Sequence, residues 1–433
     1  MFEPTRSARG RRLAWGAWAC GALAFPLGAT LVPRDGNAIA IANFLPGARG
    51  VEVWLVRALG IALMFAAMLR LRDVPVRAVL VAQLVASVIV AVTTFATPST
   101  DPYGYFMYGR WVATGANPWR PPRVLGDDPV ARIARPIVHD PPIRSPYGPA
   151  FVGLESMLVR VVPDTSFATW VAIHRALALA AACAISALLR GPRAAFWGLN
   201  PLVMLSFAVA GHNDALMLFC IAAAMRARSA VVAGIALGVA ATIKLPALAS
   251  LGVVRRSWPV LGGAVLAAVV VYARFPDALS LSAFVTQVGQ DANSPAHALE
   301  RLFAVRHLPF ARPLALAAVV VAIVLLAPRV RRPSRRNVAP ALALVLLAIA
   351  PYVQSWYFTW PLLGAAWSSR GLRIVILVAS GLAWILDFGT ISTVPLHAST
   401  ATFWIAIAAS VLFAYRPGAA RGAASPTAGN KVS

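Results

Sequence analysis

Asp101, in the run STDPYGYFMYGRWVATGANPWRPP, ends an apolar stretch and is followed by Tyr103, Tyr105, Tyr108, Trp111 and Trp119. A carboxylate at the boundary between apolar and aqueous surroundings stays ionised yet shielded, which suits it to act as a general base on a hydroxyl. Aromatic faces of this kind stack on sugar C–H surfaces, and the same residues also populate membrane interfaces. Farther along, SPYGP at 145–149 follows His139, Asp140 and Arg144. Two prolines around Tyr-Gly make a stiff turn that holds Tyr147 and Arg144 at fixed positions, whether for binding or only for the chain path. Asn200–Pro201 precedes GHND at 211–214, where His212, Asn213 and Asp214 supply donors and acceptors between two apolar runs. A plain polar turn is the competing account. The aromatic set closes with Trp356, Tyr357 and Trp360 in SWYFTWP.

Two cations stand out by where they fall. Lys244 is one of only two lysines in a chain with 37 arginines, and it occupies a break, IKLPAL, between two apolar runs. An ionisable residue at membrane depth is a functional candidate by default, with snorkelling to the interface as its alternative. Arg175, next to His174, sits about two turns into another apolar run, where a cation needs an anion or water. Lys244 and Arg175 are therefore candidates for receiving a phosphate.

The elements that must position these groups are apolar helices. Of 433 residues, 59% are hydrophobic and 12% charged, with mean hydropathy +0.73. Soluble domains hold about 25% charged residues, so an ordinary soluble enzyme and a disordered chain are both excluded. Runs near the ~17–25 residues that cross a bilayer recur from Leu13 to Tyr415. The fold expected is an all-α polytopic membrane protein, a bundle of about 12–14 transmembrane or half-membrane helices. Its long outer loop, 98–165, falls between helices 3 and 4, and a second runs over 274–313. The membrane domain is expected to cover 1–417, ahead of a disordered cytoplasmic tail at 418–433. The arginine-preceded run from Leu13 is taken as an uncleaved first span rather than a signal peptide. Lys244 caps a hairpin entered and left from the cytoplasmic side, because Arg226 and Arg228 precede it and Arg255 and Arg256 follow it.

The net charge of +24 invites a nucleic-acid reading, but the basic residues alternate with the apolar runs. With the amino terminus inside, most of them face the cytoplasm, accompanied there only by Glu3 and Asp73 among the 15 acidic residues. That is the positive-inside bias, so the charge orients the chain and no nucleic-acid partner is expected. All six histidines and nearly all the carboxylates fall outside or in the outer half of a span. No P-loop, dinucleotide glycine pattern or internal repeat is present. Cys20, Cys183 and Cys220 lie far apart and read as small core residues.

DPYGYFMYGRWVATGANPW, SPYGP, NP…GHNDAL, IKLPAL and SWYFTWP, over roughly 101–361, resemble the GT-C polyprenol-phosphate-dependent glycosyltransferases. The likeness is greatest to the mycobacterial-type α-(1→6)-mannosyltransferases of lipomannan synthesis. The resemblance implies an inverting transfer of a sugar, here mannose, from a polyprenyl-phosphate donor to an acceptor hydroxyl of a glycan or glycolipid. It also implies a bacterial cytoplasmic membrane, with both termini inside and the site outside. Asp101 matches the catalytic carboxylate, and Lys244, Arg175 and Arg144 would contact the donor phosphate. Tyr103, Tyr105, Trp119, Tyr147, His212, Asn213, Asp214, Trp356 and Tyr357 would bind sugar or acceptor. No cofactor is required by these residues. A divalent metal is left open, since relatives carry paired acids where this chain has Asp-Pro, its nearest pair being Asp127–Asp128. The rival class is a transporter or flippase, which inverted repeats would mark.

Overall fold

The computed structural model describes residues 8–30, 48–71, 73–93, 101–120, 144–162, 167–252, 257–279, 337–350 and 353–388, with a few isolated positions elsewhere. Among the described residues there is no β-strand. Three helices come first: α1 (Ala8–Thr30), α2 (Ala48–Arg70) and α3 (Val76–Thr93). Then follow α4 (Asp101–Ala113), α5 (Pro149–Val161), α6 (Phe167–Leu189) and α7 (Gly191–Gly198). After a broken segment come α8 (Asp214–Arg226), α9 (Ala230–Ile243), α10 (Trp258–Arg274), α11 (Val338–Ile349), α12 (Thr359–Ala365) and α13 (Arg370–Phe388).

Two of these, Val76–Thr93 and the Ala168–Leu189 part of α6, are long and apolar enough to cross a membrane. The apolar helices Ala230–Ile243, Trp258–Arg274 and Val338–Ile349 are shorter. α3 leaves Val81, Leu84, Val85, Val88, Ile89 and Val92 exposed, and α10 does the same with Leu261, Val265, Leu266, Val269 and Val270. Soluble monomers rarely expose apolar faces so continuous. The packing relies on small residues. Side chains added at Gly234 or Gly238 of α9 would strike the Val260 and Ala264 carbonyls of α10, so glycine spaced by four lets two backbones meet.

The stretch expected as one long outer loop, 98–165, contains two helices instead. Pro102 and Pro149 sit near their starts, where proline fits without losing a hydrogen bond. The dense Pro, Trp and Tyr composition hides the helical spacing. α4 packs along α5 and reaches α6. The apolar segment over 194–210 is not one continuous helix: α7 ends at Gly198, Asn200 caps a short turn by accepting from the Leu202 amide at 2.9 Å, and Met204–Val209 winds as a π-helix. The second arm of the Lys244 hairpin is a 3-10 helix, Leu245–Gly252, rather than an apolar half-span. Lys244 itself is extended (φ −152°, ψ 121°) and separates the two helical segments, whereas Leu245, the residue before Pro246, starts the 3-10 helix rather than leaving the helical region. Cys20 is exposed rather than a core residue, whereas Cys183 and Cys220 are half-buried. The second outer segment beyond 279, Asp127–Asp128 and the tail at 418–433 lie outside the described residues.

Candidate active site

Four chain breaks meet around Asp101. It opens α4, and its Oδ2 accepts from the Tyr105 hydroxyl at 3.1 Å, one helical turn on, and from His212 Nδ1 at 3.0 Å. His212 arrives there by an irregular path. The π-helix ends at Val209, Gly211 takes the left-handed conformation (φ +71°), and the His212 amide bonds back to the Ser206 carbonyl at 3.1 Å. π-turns within helical segments gather at functional sites, where they re-aim side chains. Arg175 braces this path, its Nε donating to the Val209 carbonyl at 2.7 Å and its Nη1 to the Ala91 carbonyl at 2.8 Å. The His212 ring stacks on Trp356 at 3.8 Å between centroids and 19° between planes.

The next two residues complete the centre. The Asn213 amide donates to the Tyr105 hydroxyl at 3.3 Å. Asp214, fully buried, binds the Lys244 ammonium through both oxygens at 3.1 and 3.0 Å and accepts from Trp360 Nε1 at 2.6 Å. The rings of Tyr357, Trp360 and Tyr147 lie 4.6, 5.5 and 5.8 Å from that ammonium. A buried cation is tolerable only with such pairing. SPYGP sets the third side: the Gly148 amide donates to the Ile243 carbonyl at 2.9 Å, one residue before Lys244. Trp119 Nε1 donates to the Tyr147 carbonyl at 3.1 Å, and Tyr147 meets Tyr105 edge-on at 5.0 Å.

Gly148 lies so close to α9 that an added Cβ would run into the Thr242 carbonyl, an unyielding backbone atom. Gly148→Ala is therefore expected to cost about 1–3 kcal/mol of stability, as overpacking does. A lowered thermal midpoint in detergent, accompanied by lost activity, is the result to look for; an unchanged midpoint would mean that the turn stands off from α9.

Burial alone would push the Asp101 carboxyl up. The hydrogen bond and charge of His212, the charge of Lys244 and the Tyr105 hydroxyl outweigh it and hold the group below its ordinary 3.8. Burial, then the Asp101 and Asp214 charges, push the Tyr105 phenol far above the usual tyrosine range, so it keeps the proton it donates. Burial also raises Tyr103 to about 12, against the opposing pull of Arg175. Because the folded value of Asp101 is depressed, its ionisation stabilises the folded chain above pH 3.8, and that stability is lost as pH falls through the lowered value. The gap in unfolding midpoint between wild type and Asp101→Asn should thus be open above pH 3.8 and close below it. A gap constant across that range would contradict the assignment.

Most of the expected residues converge. Asp101, Tyr105, Tyr147, His212, Asn213, Asp214, Lys244, Trp356 and Tyr357 form one contact network, and Tyr103 and Arg175 adjoin it. Arg144 does not join: it is exposed, and no hydrogen bond or ion pair links it to the cluster among the described residues. Asp214, expected to orient sugar hydroxyls, and Lys244, expected to face a phosphate, are ion-paired with each other. Trp119 spends its indole N–H on the backbone. Sequence reasoning missed the Glu155–His174 pair at 2.8 Å, both buried, behind Tyr105. A lone carboxylate inside the apolar run FVGLESMLV was its available signal. No group of three or more His, Cys, Asp or Glu able to hold a metal occurs among the described residues. An apolar groove lined by Met217, Leu218, Ile221, Pro246 and Leu346 opens beside Trp360.

Comparison with protein families gives one match. The MptA_B family model, described as alpha-(1->6)-mannopyranosyltransferase, N-terminal domain, covers residues 13–260, more than half of the chain and every cluster residue up to Lys244. No curated protein and no solved structure matches.

Proposed function

The chain belongs to the alpha-(1->6)-mannopyranosyltransferase family, and on that premise we propose that it transfers mannose from a polyprenyl-phosphate donor to a glycan hydroxyl on the outer side of a bacterial cytoplasmic membrane. Family membership favours a transferase over a transporter. The observation that carries the site assignment is the joining of Asp101 to Lys244 through the GHND segment, which brings a carboxylate, a cation and stacked aromatic rings into one cluster.

Each part of the reaction has a candidate. Asp101 is the carboxylate behind deprotonation of the acceptor. His212, Asn213, Trp356 and the tyrosines line the sugar. Arg175 and Lys244 are the cations nearest the departing phosphate, stabilising charge that grows as the bond to the sugar breaks. For Lys244 this requires one Asp214 oxygen to yield. Two features support a lipid donor: the apolar faces that α3 and α10 expose, which suit a polytopic membrane protein, and the apolar groove that ends at Trp360, itself bonded to Asp214. Outside the cytoplasm no nucleotide sugar is supplied, so an activated sugar must arrive on a carrier held in the bilayer. The charge bias of the sequence supports placing the cluster on that side.

The test is to supply membranes carrying the chain with radiolabelled polyprenyl-phosphate mannose and to analyse the glycan fraction. Label entering an α-(1→6)-linked mannan is expected. Label that enters only with a nucleotide sugar, in vesicles lacking any polyprenyl-phosphate mannose, would overturn the donor assignment.

A further inference from the structure

More of the fold is spent on His212 than sugar orientation requires. A π-helix, a left-handed glycine and a bond from its amide to Ser206 aim the residue, Trp356 fixes its ring plane, and Asp101 holds one nitrogen. An ionised carboxylate can only accept, so the Nδ1 facing Asp101 carries the hydrogen. In the neutral ring the lone pair is then on Nε2. That Nε2 is buried with no hydrogen-bond partner, and so are both side-chain amide atoms of Asn213 and the indole nitrogen of Trp356. A buried polar atom left unpaired costs about 1–3 kcal/mol, so orphaned atoms on two consecutive residues and on the ring stacked against His212 call for a polar ligand. Asp101 Oδ2 meanwhile already accepts two hydrogen bonds, which lowers its appetite for a proton.

We propose that His212 Nε2 is the atom that takes the acceptor's proton, with Asp101 as the positioning residue that fixes its tautomer. This rests on the transferase reading and moves the proton's first stop from a carboxylate to an imidazole. In the step, the acceptor O–H bond breaks and the proton passes to Nε2. The oxygen's electron pair forms the bond to the anomeric carbon, and the carbon–oxygen bond to phosphate breaks with its pair leaving on the phosphate. The imidazolium so formed faces the Asp101 carboxylate, which stabilises it until the proton passes to the released phosphate or to water. The arrangement is the carboxylate–imidazole logic of hydrolase triads with a sugar hydroxyl in place of serine. The Asn213 amide and the Trp356 N–H would pair hydroxyls of the same sugar.

His212→Gln separates the roles, because its amide still donates to Asp101 and still accepts from a hydroxyl but cannot take up a proton. We expect kcat to fall about 10²–10⁴-fold, the usual worth of a general base, with donor KM nearly unchanged. Asp101→Asn combined with His212→Gln should be no slower than the worse single variant, since the two act as a unit. In His212→Gly, added imidazole should restore transfer saturably, a readout that a purely structural role would not move. Transfer by His212→Gln within tenfold of wild type, multiplicative losses in the double variant, or no imidazole rescue would each overturn the proposal. Wild-type chain that transfers no mannose would overturn the transferase reading itself, whereas active wild type beside an equally active His212→Gln strikes only the proton assignment.

Discussion

Asp101→Asn is expected to cut mannose transfer about 10²–10⁴-fold, or about 3–5 kcal/mol of transition-state stabilisation, while folded protein is still obtained. Tyr105 and His212 both donate to Oδ2, so the asparagine amide keeps its tie to Tyr105 either as acceptor, with its oxygen at that position, or as donor to the phenol oxygen, with its NH₂ there. What it loses is the group that can only accept. An amide facing His212 can present its NH₂ instead, which turns the imidazole to the tautomer with hydrogen on Nε2 and blocks the lone pair there. The substitution also removes the anion that His212 and Lys244 hold below its ordinary value, so the unfolding midpoint should fall modestly above pH 3.8. The measurement is initial transfer rate per folded molecule, normalised by a midpoint in detergent. Transfer within a few-fold of wild type would remove Asp101 from the chemistry, whatever its partner.

Much of this cluster is legible from residue types because its members break a pattern. A lysine in an arginine-dominated chain, set before Leu-Pro in an apolar run, marks the break between α9 and the following 3-10 turn, and the structure puts it there. GHND between apolar runs likewise lands beside Asp101. Pairing is harder to read than position. Asp214 and Lys244 are 30 residues apart, and nothing local in either says that each is the other's partner. The π-helix at 204–209 is invisible for a related reason: its residues, MLSFAV, are those of any apolar helix, and nothing in their types marks the change from i→i+4 to i→i+5 bonding. The helices within 98–165 escape notice because proline and aromatic density reads as loop, although proline at a helix start supports a helix. Glu155 and His174 come together across α5 and α6, a contact that only tertiary packing creates.

Lys244→Met should be the most destabilising single change in the cluster. The ammonium is about nine-tenths buried and Asp214 wholly so, with both carboxylate oxygens committed to it. Removing the cation leaves an anion in a site whose remaining partner is the Trp360 N–H, and breaking a buried pair in this way costs about 3–5 kcal/mol. Loss of activity in that variant would say little, because unfolding alone explains it. The informative protein is Lys244→Met with Asp214→Asn. Methionine fills the lysine stem's space, asparagine still accepts from Trp360, and no charge is left unpaired, so much of the lost stability should return. A coupling of about 3 kcal/mol in the double-mutant cycle, read from unfolding midpoints in detergent, is the expected result; additive losses would mean that the two residues do not depend on each other. The same protein then separates two roles for Lys244. If its charge steadies the departing phosphate, the refolded double variant remains slow, with its deficit in kcat or in donor affinity. If the ion pair only holds α8 to the end of α9, transfer returns with the fold, and the phosphate must be met by Arg175 without help.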